Sequence, residues 1–185
     1  NTTVFLSCGK WEIRKGHDFL FDAFCAAFQP GDNVLLILNC ASPFLQPHEN
    51  KEWEDLFLHS PMGSRVLVNQ NRLGGQRDVA SLMATADCGV FPARAEGWNL
   101  ELGEMLAMGK HCIATNYSAH TEYNNRENCR LIDVDTLEPA YDDCFFHGQG
   151  QWAFLGTGQL DQLVHHLREV HRQKQAGELK RNQAG

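Results

Sequence analysis

Two stretches of the sequence combine charged side chains with glycine where a loop could hold a ligand. The first stretch, GKWEIRKG at residues 9–16, joins a short apolar run to a helical pattern. The backbone N–H groups of such a loop, together with the charges of Lys10 and Lys15, attract anions such as phosphate. Its spacing matches neither GxGxxG nor a P-loop, which argues against both nucleotide fingerprints. A solvated basic turn is the alternative interpretation.

The second stretch, AEGWNLELGE, places carboxylates on both sides of a predicted helix start. Gly97 permits close backbone approach, and Asn99 is a residue type that caps helices. Glu96 in the loop and Glu104 on the helix are both directed at one cleft, whereas Glu101 is interpreted as an exposed helix charge. Carboxylates accept hydrogen bonds from sugar hydroxyls and stabilise developing positive charge. A basic and an acidic loop together suit a sugar joined to a diphosphate.

The elements that must position these loops alternate between strand and helix along the chain. This alternation predicts a doubly wound, mostly parallel α/β sheet of the Rossmann-like type, with about six strands. Ligands in such sheets bind beyond the carboxyl ends of the strands. Residues 134–158 are predicted to be irregular. The predicted strands are Thr3–Ser7, Asn33–Cys40, Arg65–Asn69, Cys88–Pro92, His111–Thr115 and Cys129–Asp133, and the predicted helices are Asp18–Phe28, Asn50–His59, Arg77–Ala86, Asn99–Met108 and Gln159–Lys174.

Composition narrows the class of protein. The 185 residues suit one globular domain, with 43% hydrophobic and 21% charged residues. The net charge of −7 argues against non-specific nucleic-acid binding, which needs clustered positive charge. No apolar run reaches the length of a membrane span, and the chain opens on a strand-like run without a signal pattern. Its seven cysteines lack CxxC spacing, which predicts reduced thiols and a cytoplasmic location.

Two segments of the sequence resemble a known family. SCGKWEIRKGHDFL and FPARAEGWNLELGEMLAMGKHCIATNYSAHTEY are similar to the donor-binding half of retaining, family-4-type glycosyltransferases (glycosyl transferases group 1) with the GT-B fold. The likeness runs from about Thr3 to Ile132 and includes an E-x7-E pair, Glu96 and Glu104. It implies that residues 1–185 are the single C-terminal, nucleotide-sugar-binding lobe of a retaining hexosyltransferase. The N-terminal acceptor lobe is then absent, and the isolated domain should transfer little sugar.

The resemblance also implies a role for each matching position. Lys15 would bind the donor diphosphate, and Lys10 stands where the family usually has arginine. Glu96 would be the catalytic carboxylate beside the transferred sugar, and Glu104 would accept hydrogen bonds from the ribose. Residues 71–74 would lie against the base. The distal phosphate or the sugar would be held at the start of the following helix by Gly97, Trp98, Asn99 and Leu100.

No cofactor and no essential metal are expected, because basic residues and helix dipoles would neutralise the diphosphate. The DxD motif at residues 133–135 is interpreted as a solvated turn rather than a metal site. The expected partners are a nucleotide-sugar donor and the missing lobe, with the base, the sugar and the acceptor open. Two alternatives remain: a Rossmann-like nucleotide- or phosphate-binding module without transferase chemistry, and another GT-B enzyme such as an epimerase or a phosphorylase relative.

Overall fold

A computed structural model describes all 185 residues. Six parallel strands form one sheet in the order β3-β2-β1-β4-β5-β6, and two further strands form a separate antiparallel hairpin. The doubly wound, Rossmann-like α/β fold that the sequence predicts is therefore confirmed. The strands are β1 Thr3–Gly9, β2 Val34–Cys40, β3 Val66–Asn69, β4 Cys88–Phe91, β5 His111–Asn116, β6 Arg130–Asp133, β7 Leu137–Tyr141 and β8 His147–Ala153, and the helices are α1 His17–Ala27, α2 Pro47–Leu58, α3 Gln76–Thr85, α4 Leu100–Ala107 and α5 Thr157–Gln175.

Helices cover both faces of the large sheet. Successive strand residues point to opposite faces, so the fully buried Phe5 and Leu6 of β1 belong to two different apolar clusters. The larger cluster has 22 buried residues and includes side chains of α1, α2 and α5. The smaller one has 12 and includes side chains of α3 and α4. This two-sided burial explains why β1 and β2 are apolar almost throughout.

The order of the strands creates one point where the sheet changes direction. The chain winds from β1 outward to β3, then returns to place β4 on the other side of β1. The loops after β1 and β4 therefore lie side by side, and ligands of such sheets bind at this switch point. Those two loops are the basic and the acidic stretch of the sequence.

The sequence predicts that residues 134–158 are irregular. The structure differs, because β7 and β8 pair antiparallel within this segment. The prediction was wrong because the hairpin has no apolar alternation: five of the seven residues of β8 are exposed. Its turn is set by a side chain instead. The carboxylate of Asp142 accepts hydrogen bonds from the backbone N–H groups of Cys144, Phe145 and Phe146.

The other predicted bounds differ from the structure by at most three residues. The largest difference is at α2, which begins at Pro47 rather than at Asn50. Pro47 occupies the first turn, and Gln46 and Glu49 form a capping box that explains the earlier start. No helix in the chain is both long and apolar enough to cross a membrane.

Candidate functional site

A cleft of about 770 Å³ lies at the carboxyl ends of β1, β2 and β3. Cys8, Gly9 and Cys40 line it from the strand ends, and Glu101 lines it from α4. The predicted base loop contributes the residues 71–73, so this part of the expected site does border the cleft. Most of the polar side chains in the lining are amides or a guanidinium, namely Asn39, Asn69, Gln70, Asn71, Gln76 and Arg72.

Two of these amides form a bridge between neighbouring strands. Asn69 Nδ2 at the end of β3 donates to Asn39 Oδ1 in β2 over 2.7 Å. Asn69 Oδ1 in turn accepts from the backbone N–H of Asn71 at 3.1 Å. The bridge fixes both amide planes at the cleft wall and ties the start of the 71–74 loop to the sheet.

Lys15 and Glu96 meet where the basic and acidic loops adjoin. Lys15 Nζ lies 2.9 Å from Glu96 Oε1, and both side chains are largely buried, with 11% and 8% of their surface exposed. The lysine stem crosses Gly9, where an added Cβ would lie 2.8 Å from Lys15 Cδ. Gly9 also has φ +136°, a conformation that favours glycine. A side chain at position 9 would therefore crowd the lysine stem that reaches Glu96.

Arg14 also holds Glu96, although it was not among the predicted site residues. Arg14 Nη1 lies 2.8 Å from Glu96 Oε2, while its Nη2 lies 2.7 Å from Oε2 of the buried Glu12. Glu12 Oε1 accepts from Lys10 Nζ at 2.8 Å. Five charges therefore alternate through Lys10, Glu12, Arg14, Glu96 and Lys15. The alternation of basic and acidic residues along GKWEIRKG was the available signal for this network.

The network controls the charge of Glu96. Burial by itself raises the pKa of this carboxyl, but the charges and hydrogen bonds of Lys15 and Arg14 outweigh burial. The pKa of Glu96 is consequently below its ordinary value. The side chain is an anion at neutral pH, with one cation on each carboxylate oxygen.

The acidic loop is shaped by Asn99, which has the left-handed backbone angles φ 68° and ψ 76°. Its Oδ1 accepts from the backbone N–H of Leu102 at 3.3 Å, so the predicted N-cap of α4 is confirmed. His120 Nδ1 lies 3.0 Å from the carbonyl oxygen of Thr115, which only accepts. Nδ1 therefore carries the proton, and Nε2 accepts from Asn99 Nδ2 at 2.9 Å. His120 thus holds the side chain of Asn99 in place, and the sequence did not indicate this role.

The remaining residues of this loop lie at the rim. Gly97 is exposed, as are Trp98 at 52% and Leu100 at 65%. The Trp98 ring packs against Tyr123 with ring centroids 5.0 Å apart. The Tyr123 hydroxyl donates to the backbone carbonyl of Trp98 and lies 3.2 Å from the carbonyl oxygen of Asn99, which braces the loop. The structure thus places the predicted 97–100 segment at the start of α4.

The two helix carboxylates differ from the expected arrangement. Glu101 is partly buried and lines the cleft, so its prediction as an exposed charge was wrong, whereas Glu104 is exposed. Residues three apart on a helix share a side, and Glu101 is nearer to the end of α4 that faces the cleft. Burial raises the pKa of Cys8 to about 12, and the charge of Glu101 adds more to this rise than that of Glu104.

Further predictions concern Lys10, the DxD motif, metal binding and the cysteines. Lys10 does not line the cleft; its side chain is 40% exposed and its Nζ lies 4.8 Å from the Phe44 ring centroid. Asp133 in the DxD motif pairs with Arg126 at 2.7 Å. No group of three or more His, Cys, Asp or Glu side chains is arranged to hold a metal ion. All seven cysteines are free thiols.

The chain is thus a doubly wound, Rossmann-like domain with a buried Lys–Glu pair at the switch point of its sheet. The profile of the family described as "Glycosyl transferases group 1" matches residues 2–142 of this chain. The chain belongs to this family. Curated protein sequences give no match to the chain.

Solved structures show the same fold. The C-terminal domain of the glycosyl transferase group 1 family protein LpcC from Francisella tularensis is 13% identical, with a TM-score of 0.68 over 98% of this chain and 80% of that one. Anabaena HepE, in complex with UDP and glucose, is 18% identical, with a TM-score of 0.69 over 100% of this chain and 42% of that one. WaaG, a glycosyltransferase involved in lipopolysaccharide biosynthesis, is 23% identical, with a TM-score of 0.61 over 96% and 40%.

The three solved structures are matched over different shares of their own length. The chain covers most of the single LpcC domain but less than half of the HepE and WaaG chains. At these identities the solved structures establish the fold alone. The agreement with a C-terminal domain confirms that the chain has the architecture of one GT-B lobe.

Proposed function

We propose that residues 1–185 are the C-terminal nucleotide-sugar-binding domain of a retaining hexosyltransferase whose acceptor site is on a second, N-terminal lobe. The observation that carries this proposal is the buried ion pair of Lys15 and Glu96 at the sheet switch point. One loop supplies a cation for a diphosphate, and the other supplies a carboxylate for a sugar. The family and the HepE structure with UDP and glucose support this choice of ligand.

In this proposal the donor extends across the two loops. The base lies in the cleft against residues 71–74, where the Asn39–Asn69 bridge supplies a rigid polar wall. Lys15 binds the diphosphate, together with the backbone N–H groups at the start of α4. Lys10, at the rim, adds long-range attraction for the anion and is the weaker of the two lysines.

The carboxylates serve the sugar-bearing parts of the donor. Glu96 lies beside the transferred sugar, where an ionised carboxylate stabilises the positive charge that develops as the glycosidic bond breaks. Glu104, which is exposed on α4, accepts hydrogen bonds from the ribose, and Glu101 lines the cleft wall. The charge of the diphosphate is neutralised by lysine and backbone N–H groups, so we propose that donor binding requires no metal and no cofactor.

Calorimetry on this chain tests the proposal directly. The chain is titrated with UDP, GDP and ADP and with their glucose conjugates, in buffer containing EDTA. We expect one nucleotide series to bind, and we expect Lys15→Ala to weaken it about 10- to 150-fold through loss of a charge-assisted contact of about 1.5–3 kcal/mol. Lys51→Ala, on the exposed side of α2, is the matched control.

Each outcome of this titration is informative. Loss of all binding on addition of EDTA would overturn the metal-free site. Binding of free phosphate as tight as that of any nucleotide would favour a phosphate-binding module instead. If Lys15→Ala and Lys51→Ala bind the preferred nucleotide as tightly as the parent does, the cleft assignment is wrong.

A further inference from the structure

Two neighbouring residues of the basic loop hold the same carboxylate in different ways. Arg14 Nη1 lies 2.8 Å from Glu96 Oε2, and Lys15 Nζ lies 2.9 Å from Oε1. The side chains of Arg14, Lys15 and Glu96 are 15%, 11% and 8% exposed. Both carboxylate oxygens are thus paired with cations before any ligand arrives.

Arg14 is fixed by its other contacts. Nη1 also donates to the carbonyl oxygen of Ala95 at 2.7 Å, while Nε and Nη2 donate to Glu12 Oε2 at 3.1 and 2.7 Å. Four hydrogen bonds therefore occupy four of the five N–H donors of the guanidinium. Glu12 is itself 6% exposed and held by Lys10. Turning Arg14 toward a ligand would break several partly buried, charge-assisted bonds.

Lys15 is much less constrained. Its ammonium has three N–H donors and a hydrogen bond to Glu96 alone. Its stem lies over Gly9, and Gly9 lines the cleft. Lys15 itself does not line the cleft, but two N–H donors of its ammonium remain for an anion bound beside Gly9, whether or not the ammonium keeps Glu96.

A bound diphosphate changes the balance at Glu96. Its negative charge disfavours a nearby carboxylate anion, and sharing Lys15 with the phosphate weakens the hold on Oε1. We propose that Arg14 is a positioning residue that keeps Glu96 ionised and oriented when Lys15 engages the donor diphosphate. The inference rests on the proposed function, because it takes a nucleoside diphosphate as the ligand.

Carbon NMR of the glutamate carboxyls tests this role. The chain is labelled at glutamate, the Glu96 signal is assigned with Glu96→Gln, and the pH is varied with and without the nucleoside diphosphate that binds in calorimetry. In the parent we expect Glu96 to remain ionised into the acid range in both states. In Arg14→Gln we expect nucleotide addition to move the Glu96 titration upward by about one to two pH units.

Three further variants keep the result interpretable. Arg14→Lys keeps the positive charge but loses the planar guanidinium with its several N–H donors, so we expect it to recover most of the ionisation of Glu96. Glu12→Gln loosens Arg14 without removing it and gives an intermediate result if Arg14→Gln fails to fold. Arg126→Gln removes a surface arginine that pairs with Asp133, and it should behave like the parent.

The inference and the proposed function fail in distinguishable ways. If no nucleoside diphosphate binds the parent, the proposed function is wrong and the inference falls with it. If nucleotide binds but Glu96 titrates alike in Arg14→Gln, Arg14→Lys and Arg126→Gln, the positioning role alone is wrong. A titration that is raised equally in free and nucleotide-bound Arg14→Gln would also overturn it, because the role is specific to the bound state.

Discussion

His17 should make the stability of this domain strongly dependent on pH below neutrality. It follows the basic loop at the start of α1 and is 1% exposed, with its ring edge-on to Trp11 and Nε2 3.4 Å from Cys40 Sγ. Burial, with a contribution from the charge of Lys15, lowers the pKa of His17 from 6.5 to about 3. The imidazole is therefore neutral in the folded state across the range in which the unfolded chain takes up a proton.

The size and sign of the effect follow from this difference. Above pH 6.5 both states are neutral at this residue, so His17 contributes no pH dependence. Below pH 6.5 His17 binds a proton in the unfolded state but not in the folded state. The free energy of unfolding therefore falls by about 1.4 kcal/mol per pH unit. The loss is about 2 kcal/mol at pH 5 and roughly 5 kcal/mol once the pH reaches the folded pKa.

Urea unfolding at 25 °C, at pH values from about 7 to about 5, measures this slope. His17→Phe keeps an aromatic ring beside Trp11 but cannot bind a proton, so it should reduce the slope by about 1.4 kcal/mol per pH unit. His59→Phe makes the same change at a side chain that is 77% exposed. An unchanged slope in His17→Phe, or an equal change in both variants, would refute the reasoning.

Three further outcomes can be measured on the same chain. Glu104→Gln and Glu101→Gln should each weaken nucleotide binding by about 1–3 kcal/mol in calorimetry. Glu96→Gln releases Lys15, so this variant should bind the bare nucleotide at least as tightly as the parent does. Gly16→Ala should destabilise the fold by about 1–3 kcal/mol or more in urea, because φ is +73° and the new Cβ would lie 2.1 Å from the Pro92 carbonyl oxygen. Asn99→Ala should lower the unfolding free energy by about 0.5–2 kcal/mol through loss of the α4 cap; an unchanged midpoint would contradict the cap.

Most of the fold was predictable because its elements are decided locally. Apolar runs of strand length alternate with helical patterns along the chain. Such runs are typical of a parallel sheet, whose strands are buried on both faces. The carboxyl edge of the sheet followed from the same alternation, so the loops carrying Lys15 and Glu96 could be assigned to that edge. The β7–β8 hairpin was not predictable from periodicity, since the Asp142 turn determines it and most of β8 is exposed.

The site was predictable only in part. Lys15 and Glu96 follow from residue type and loop position, and the structure places them in contact. Arg14 and Glu12 did not follow, because a surface turn and a buried ion-pair network have the same residue types. The carboxylate at the cleft wall was assigned to Glu104 rather than Glu101, since rotation about a helix axis is fixed by packing and not by spacing alone.

By itself the sequence determined the α/β class, the order of elements and the two loops that meet at the sheet edge. These depend on apolar periodicity and on short-range signals such as glycine and the N-cap, which a chain carries in its local order. The tertiary structure decided which charges neutralise one another: Arg14 and Lys15 on Glu96, Glu12 beneath Arg14, and His120 behind Asn99. Such pairings join residues as many as about 80 positions apart in buried surroundings, where distance and desolvation set the energy and sequence separation has no bearing on it.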